Sequence, residues 1–182
     1  MITKLNDWQT DVLNFWFEEL NPKSWFICSD ELDATIMKRF GDVHRKLRES
    51  NALEHPINAH SVLASVIVLD QFSRNMFRGT AEAFKYDELA LSFAKQACKA
   101  GLDKTLEGNR LKFLCMPFSH SEDMQDQDIA VALLGGDANS SAVKHREIIR
   151  RFGRFPHRNE VLSRRSTAEE RIYLEKAKRF GQ

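Results

Sequence analysis

Apolar residues in this chain recur at intervals of three and four and almost never at intervals of two, so the chain must build its core from amphipathic helices. Trp8, Val12, Leu13, Trp16 and Leu20 fall on one face of a first helix over about 6–20. Asn21-Pro22 should stop it, because proline lacks the amide donor and restricts the residue before it. Ser29 or Asp30 can cap a second helix, running to about Ser50, in which Leu32, Ile36, Phe40, Val43 and Leu47 share a face. After the break at "HPIN", residues 58–73 hold the most apolar segment, "VLASVIVL" with polar His60, Ser61 and Asp70 around it; its length predicts a buried helix rather than a strand.

The same pattern continues. Ala90, Phe93, Ala94 and Ala97 share a face of a helix over 86–101 that Gly101 is placed to end in the left-handed conformation. A fifth helix is expected over about 105–116, stopping at Pro117, and Ser119 with Glu122 has capping-box spacing for a sixth that "GGDANS" ends. Ser140 or Ser141 opens the next, with Val143, Ile148, Ile149 and Phe152 inward and Gly153 as its stop, and Thr167 with Glu170 opens a last one. The expectation is an all-α fold of about eight helices in antiparallel pairs, a tetratricopeptide-like array, with no clean 34-residue repeat.

A chain of 182 residues suits a single domain with a sizeable core, 1–182, whose basic tail over about 176–182 is expected to fray. Hydrophobic residues at 42%, with only 8 Gly and 4 Pro, describe a folded globular protein. The longest apolar run falls far short of the roughly 20 residues a membrane span needs, and the amino end has no signal-peptide pattern, so a cytoplasmic location is the default. Cys28, Cys98 and Cys115 form no CxxC pair and are read as reduced, buried thiols. Net charge is +1 but unevenly divided: residues 144–182 carry 12 Lys and Arg against 5 Asp and Glu. This basic third is expected to dock on the acidic remainder of the same molecule.

Two cationic stretches stand out, "LDQFSRNMFRG" at 69–79 and "RRFGRFPHRN" at 150–159. Each places Arg and Asn just after an aromatic residue where a helix gives way to loop. If the two corners meet, Arg74, Arg78, Arg151, Arg154 and Arg158 would supply charge, Asn75 and Asn159 would orient a ligand, and Phe72 and Phe155 would wall off water; arginine's planar fork suits phosphate or carboxylate. The competing structural reading pairs these arginines with Asp70, Asp87, Glu122, Asp123, Asp126 and Asp128. His120 beside Glu122 and Asp123, and His157 within the second stretch, are the candidate acid–base groups. Helix capping accounts for the acidic residues near His120 better than a metal site does, and no metal or cofactor is expected. No GxSxG, P-loop or GxGxxG occurs.

"VLNFWFEEL", "LDQFSRNMFRGTAEAF", "PFSHSEDMQDQ" and "HREIIRRFGRFPHRNEVLSRRSTAEE" together resemble the uncharacterised bacterial and plant family known as domain of unknown function 924. The resemblance runs from Val12 to about Leu174 and implies an all-helical, tetratricopeptide-like fold without an established activity. The family usually has proline where this chain has Ser73 and an acidic residue where it has Ser119; the "KAKRFGQ" end lies past the similar region.

The reading preferred on sequence is a binding module whose Arg-rich pocket takes an anionic group, either the carboxylate of a peptide or protein partner or a phosphorylated small molecule. The runner-up is a small hydrolase or transferase using His120 or His157 with arginine stabilisation of negative charge. A third reading makes the arginines purely structural. The basic last third shows no stacking platform, so nucleic acid is not the expected partner.

Overall fold

A computed structural model describes residues 8–49, 58–134 and 140–176. The expected start of the first helix at 6, the end of the second at Ser50, the 55–57 part of the "HPIN" break, the stop at 135–139 and the basic end from 177 lie outside the described residues. Among the described residues the fold is all-α, with no strand.

The chain runs through α1 (Trp8–Asn14), α2 (Asp30–Arg48), α3 (Ala59–Val66), α4 (Ser73–Met76), α5 (Asp87–Lys99), α6 (Gly108–His120), α7 (Met124–Leu134), α8 (Ser141–Phe152) and α9 (Ala168–Lys176). Helix ends follow local chemistry. The Ser29 and Ser140 hydroxyls accept from Leu32 N and Val143 N, and Gly101 and Gly153 end their helices at φ of 72° and 69°. Thr167 and Glu170 form the expected reciprocal box: Thr167 N donates to Glu170 at 2.7 Å, and Glu170 N donates to the Thr167 hydroxyl at 3.1 Å.

Three elements differ from expectation. The first helix loosens into a π-helical turn at Phe15–Glu19 before Pro22 is reached, and Pro22 instead opens a 3₁₀ turn, Pro22–Phe26. The fifth helix runs through Pro117 to His120; in the last turn proline costs a single backbone hydrogen bond, and Ser121 N closes the end on Pro117 O at 3.1 Å. Asp123, not Ser119, caps α7, its carboxylate accepting from Gln125 N at 2.7 Å. Cys28 is exposed, whereas Cys115 is buried.

The segment from Ala59 to Met76 is the spine. Residues 61–73 are all buried, and Leu63, Ile67, Leu69 and Phe72 are each 0% exposed. At about 1.5–3 kcal/mol per fully buried side chain, this segment is a principal source of hydrophobic stabilisation. Around it α1, α2 and α5 pack, and α5 packs on α6, α6 on α7 and α7 on α8. An aromatic cluster closes one side: Trp25 lies 4.9 Å from Phe113, centroid to centroid, and its indole N–H donates to Trp16 O at 2.8 Å.

Midway along the spine, Ile67–Phe72 forms a second π-helical turn. Such single wide turns shift the side chains they carry out of α-helical register and often mark functional sites. This one carries Asp70 and Gln71.

Candidate functional site

Asp70 is 0% exposed, in the middle of the apolar spine. Burial opposes its charge, but Arg74 and His120 beside it hold its carboxyl well below the usual carboxylate range. An ionised carboxylate only accepts, so the His120 Nδ1 that lies 2.6 Å from Asp70 Oδ1 carries the proton. Nε2 is then the unprotonated ring nitrogen of a side chain that lines a cavity. Gln71 Nε2 donates to the other Asp70 oxygen and lies 3.3 Å from the Met116 sulfur.

Behind this pair stands a buried chain of charges. Arg74 Nη1 meets Asp70 at 3.0 Å, and the same guanidinium forks onto both oxygens of Asp87 at 3.0 Å. Arg158 Nη1 reaches Asp87 at 3.2 Å, with its guanidinium 4.7 Å from the ring centroids of both Phe84 and Phe155. Two carboxylates and two guanidiniums cancel, so a neutral His120 leaves the cluster uncharged and a protonated one leaves it positive. Burial lowers His120 below its ordinary value against the pull of Asp70, which favours the neutral ring near pH 7. Burial also pulls Arg158 down to about 10, and its buried Nε–H has no hydrogen-bond partner among the described residues.

The cavity in front of this cluster has a volume of about 480 Å³. His120, His145 and His157 line it, together with Arg74, Arg78, Lys112 and Arg158, and among the described residues no aspartate or glutamate does. The His120 and His145 rings are 6.2 Å apart, and Phe155 stands against both His145 and His157 at 5.5 and 5.4 Å. Burial, helped by the neighbouring cations, pushes His145 down to about 3 and His157 down to about 4. Trp25, Phe26, Ile27 and Met116 form the apolar wall. Among the described residues no group of three or more His, Cys, Asp or Glu side chains is placed to hold a metal ion.

The two cationic stretches do meet, but only part of each faces the cavity. Arg74, Asn75, Arg78, Phe155, His157 and Arg158 line it. Arg151 pairs instead with Glu169 at 2.7 Å, and Arg154 forks onto Glu170 while also donating to Arg165 O. Both lie on the face turned to α9. Asn159 is buried and holds the loop, accepting from Arg164 Nε at 3.0 Å and donating to Ser166. Phe72 belongs to the aromatic core, 4.9 Å from Phe40 and 5.6 Å from Trp16, and is not part of the cavity wall. Arg78 and Asn75 are tied to Asp33 behind them.

Of the acidic residues set against the arginines on sequence, Asp70, Asp87, Glu122 and Asp128 do take arginine, Asp126 takes Lys95, and Asp123 caps a helix. Arg146–Asp128, Arg158–Asp87 and Arg164–Glu122 are the bonds by which the basic last third docks on the acidic body. Glu122 does more than pair: it accepts from Arg164 at 2.7 and 3.0 Å and from Phe155 N at 2.7 Å, fixing the loop that presents His157 and Arg158.

His145, Lys112, Gln71 and the pairing of Asp70 with His120 were not singled out from the sequence. A signal did exist for Asp70, since a charge inside the most apolar run has to be paired or functional. Nothing in the spacing of His145 set it apart from a structural helical histidine.

A family model described as "Bacterial protein of unknown function (DUF924)" matches residues 12–178. No curated protein gives a significant match. The solved structure of a protein of unknown function, ATU0120 from Agrobacterium tumefaciens, is similar at 41% identity and a TM-score of 0.83, over 93% of this chain and 98% of that one.

Proposed function

The chain belongs to the DUF924 family of bacterial proteins of unknown function, and from that premise we propose that the three-histidine cavity is the active site of a small hydrolase or transferase acting on an anionic substrate. The observation that carries the proposal is the Asp70–His120 hydrogen bond at a cavity whose wall, among the described residues, has cations and no carboxylates. Asp70 fixes the Nδ1–H tautomer and stabilises the imidazolium that forms when Nε2 takes a proton.

In a hydrolytic cycle His120 Nε2 takes a proton from water as its oxygen bonds to the substrate's carbonyl carbon or phosphorus. The same proton then passes to the leaving oxygen or nitrogen as that bond breaks. Arg158, buried and stacked between two phenylalanines, is placed to stabilise the negative charge that develops. His157 also lines the cavity, where its ring stays neutral near pH 7. No described helix is long and apolar enough to cross a membrane, and we take the protein to act in the cytoplasm.

Turnover of a panel of small carboxylic and phosphoric esters by the wild type, His120→Gln and His120→Ala tests this reading. Loss of at least about a hundredfold in kcat with little change in ligand affinity is expected of a general acid–base group. A second reading, the binding module expected from sequence, is favoured by the cationic wall alone. In it the cavity holds a peptide carboxylate or a phosphorylated small molecule without reaction. Tight anion binding with no turnover, unchanged in His120→Gln, would select it.

A further inference from the structure

One helix contributes three chemically different side chains to the cavity wall. Lys112, Met116 and His120 stand four residues apart on α6, and all three line the cavity. Residues four apart share a helix face, and at 1.5 Å of rise per residue the first and last are roughly 12 Å apart along the axis. A cation, a thioether and the imidazole held by Asp70 therefore stand in file along one wall.

Lys112 is distinct from the cavity's arginines. Arg74, Arg78 and Arg158 each have a carboxylate behind them, whereas among the described residues Lys112 has none. Its ammonium instead lies 4.8 Å from the centroid of Phe26. Phe26 is 52% exposed and Ile27 is 57% exposed, and both line the cavity. Two large apolar side chains left that open, beside an ammonium with no counter-ion among the described residues, describe a site for a ligand that is apolar along its body and anionic at its tip.

Resting on the acid–base reading above, we propose that the substrate is an elongated organic anion. Its reacting group meets His120 and Arg158, its apolar middle lies along Met116, Trp25 and Phe26, and its distal carboxylate or phosphate is bound by Lys112. The file on α6 then acts as a ruler, selecting the spacing between anion and reacting group. Met116 suits the middle position because its flexible, polarizable thioether adapts to different apolar bodies.

The test uses linear dicarboxylates of about four to about twelve carbons, a range that brackets the roughly 12 Å helix spacing. They are titrated calorimetrically against the whole protein beside monocarboxylates of equal length and ω-phosphono carboxylates, which separate a carboxylate tip from a phosphate-like one. Affinity should peak at one length. At that length Lys112→Gln should weaken the two-headed ligand about tenfold or more, to the level of its one-headed counterpart, while Lys112→Arg holds it within about threefold. A flat length series, or a Lys112→Gln protein that binds the two-headed ligand as well as wild type, would overturn the ruler. If monocarboxylates still bind and Arg158→Gln weakens them, only the ruler falls and the acid–base site stands. If no anion binds the wild type, both fall together.

Discussion

Asp70 and His120 come from different helices, fifty residues apart in sequence, and meet at 2.6 Å where the buried spine reaches the cavity wall. The π-helical turn at Ile67–Phe72 carries the carboxylate, and the last turn of α6, extended past Pro117, carries the ring. The contact therefore depends on the wide turn that sets Asp70 and on α6 continuing as a regular helix through Pro117 as far as His120.

Arg74 is what keeps the Asp70 charge tolerable. Removing it as Arg74→Met leaves a fully buried carboxylate with His120 and Gln71 as its remaining partners. A loss of about 3–5 kcal/mol is expected, the range for breaking a buried ion pair from one side. Chemical denaturation measures it. In the folded variant the pKa of His120 should rise, because a nearby cation has gone while Asp70 remains. Arg158→Met should cost less, since Asp87 keeps the forked Arg74.

Acid should unfold the protein through its histidines before its carboxylates. His44, His145 and His157 have folded values of about 4, 3 and 4, below the ordinary 6.5 they regain on unfolding, and burial is the main cause for each. Below pH 6.5 the unfolded chain binds more protons than the folded one, so stability falls as pH drops toward 4. Each histidine contributes about 1.4 kcal/mol per pH unit at most. Denaturation curves at a series of pH values should show about three protons taken up on unfolding near pH 5, by that linkage. A stability flat between pH 7 and 5 would contradict this placement of the rings.

Glu122 is expected to couple the loop to the site. Glu122→Ala removes the acceptor shared by Arg164 and Phe155 N, and should cost roughly 1.5–3 kcal/mol, the range for hydrogen bonds to a charged group. It should also weaken anion binding, because His157 and Arg158 lose their anchor. Arg154→Ala, whose partner Glu170 belongs to α9, should lower the melting temperature and leave anion affinity unchanged. Calorimetric titration of both variants with inorganic phosphate separates the two roles.

The thiols offer a simple check on packing. Cys28 is exposed, while burial raises Cys98 and pushes Cys115 up to about 12. A thiol reagent should modify Cys28 quickly in the native protein and the other two only after unfolding, because the thiolate is the reactive form. Fast native reaction at Cys115 would contradict the packing around α6.

Much of the helical order was legible because it rests on local chemistry. Ser29, Gly101, Ser140, Gly153 and the Thr167–Glu170 box act through neighbours within a few residues, and such effects survive any tertiary context. Pro117 misled because the cost of a proline depends on its position: near a helix end one missing hydrogen bond is tolerated. The candidate site was half legible. The pairing of "LDQFSRNMFRG" with "RRFGRFPHRN" shows in their composition, but which arginines face the cavity is decided by helical phase. Arg154 and Arg158 are one turn apart in number yet lie on either side of the Phe155-Pro156 corner, so one turns to α9 and the other to Asp87. The exposure of Cys28 and the place of His145 are set by packing between elements distant in sequence, and no short motif records it.

The central claim is that His120 stands at the cavity as a neutral base held by Asp70, and long-range proton–nitrogen NMR of the histidine rings tests it most directly. At pH 7 the His120 ring should show a protonated Nδ1 and a bare Nε2, and should become an imidazolium only below its ordinary value of about 6.5. On the wild-type protein, an Nε2–H tautomer, or an imidazolium already present at pH 7, would leave no base facing the cavity and would contradict the account.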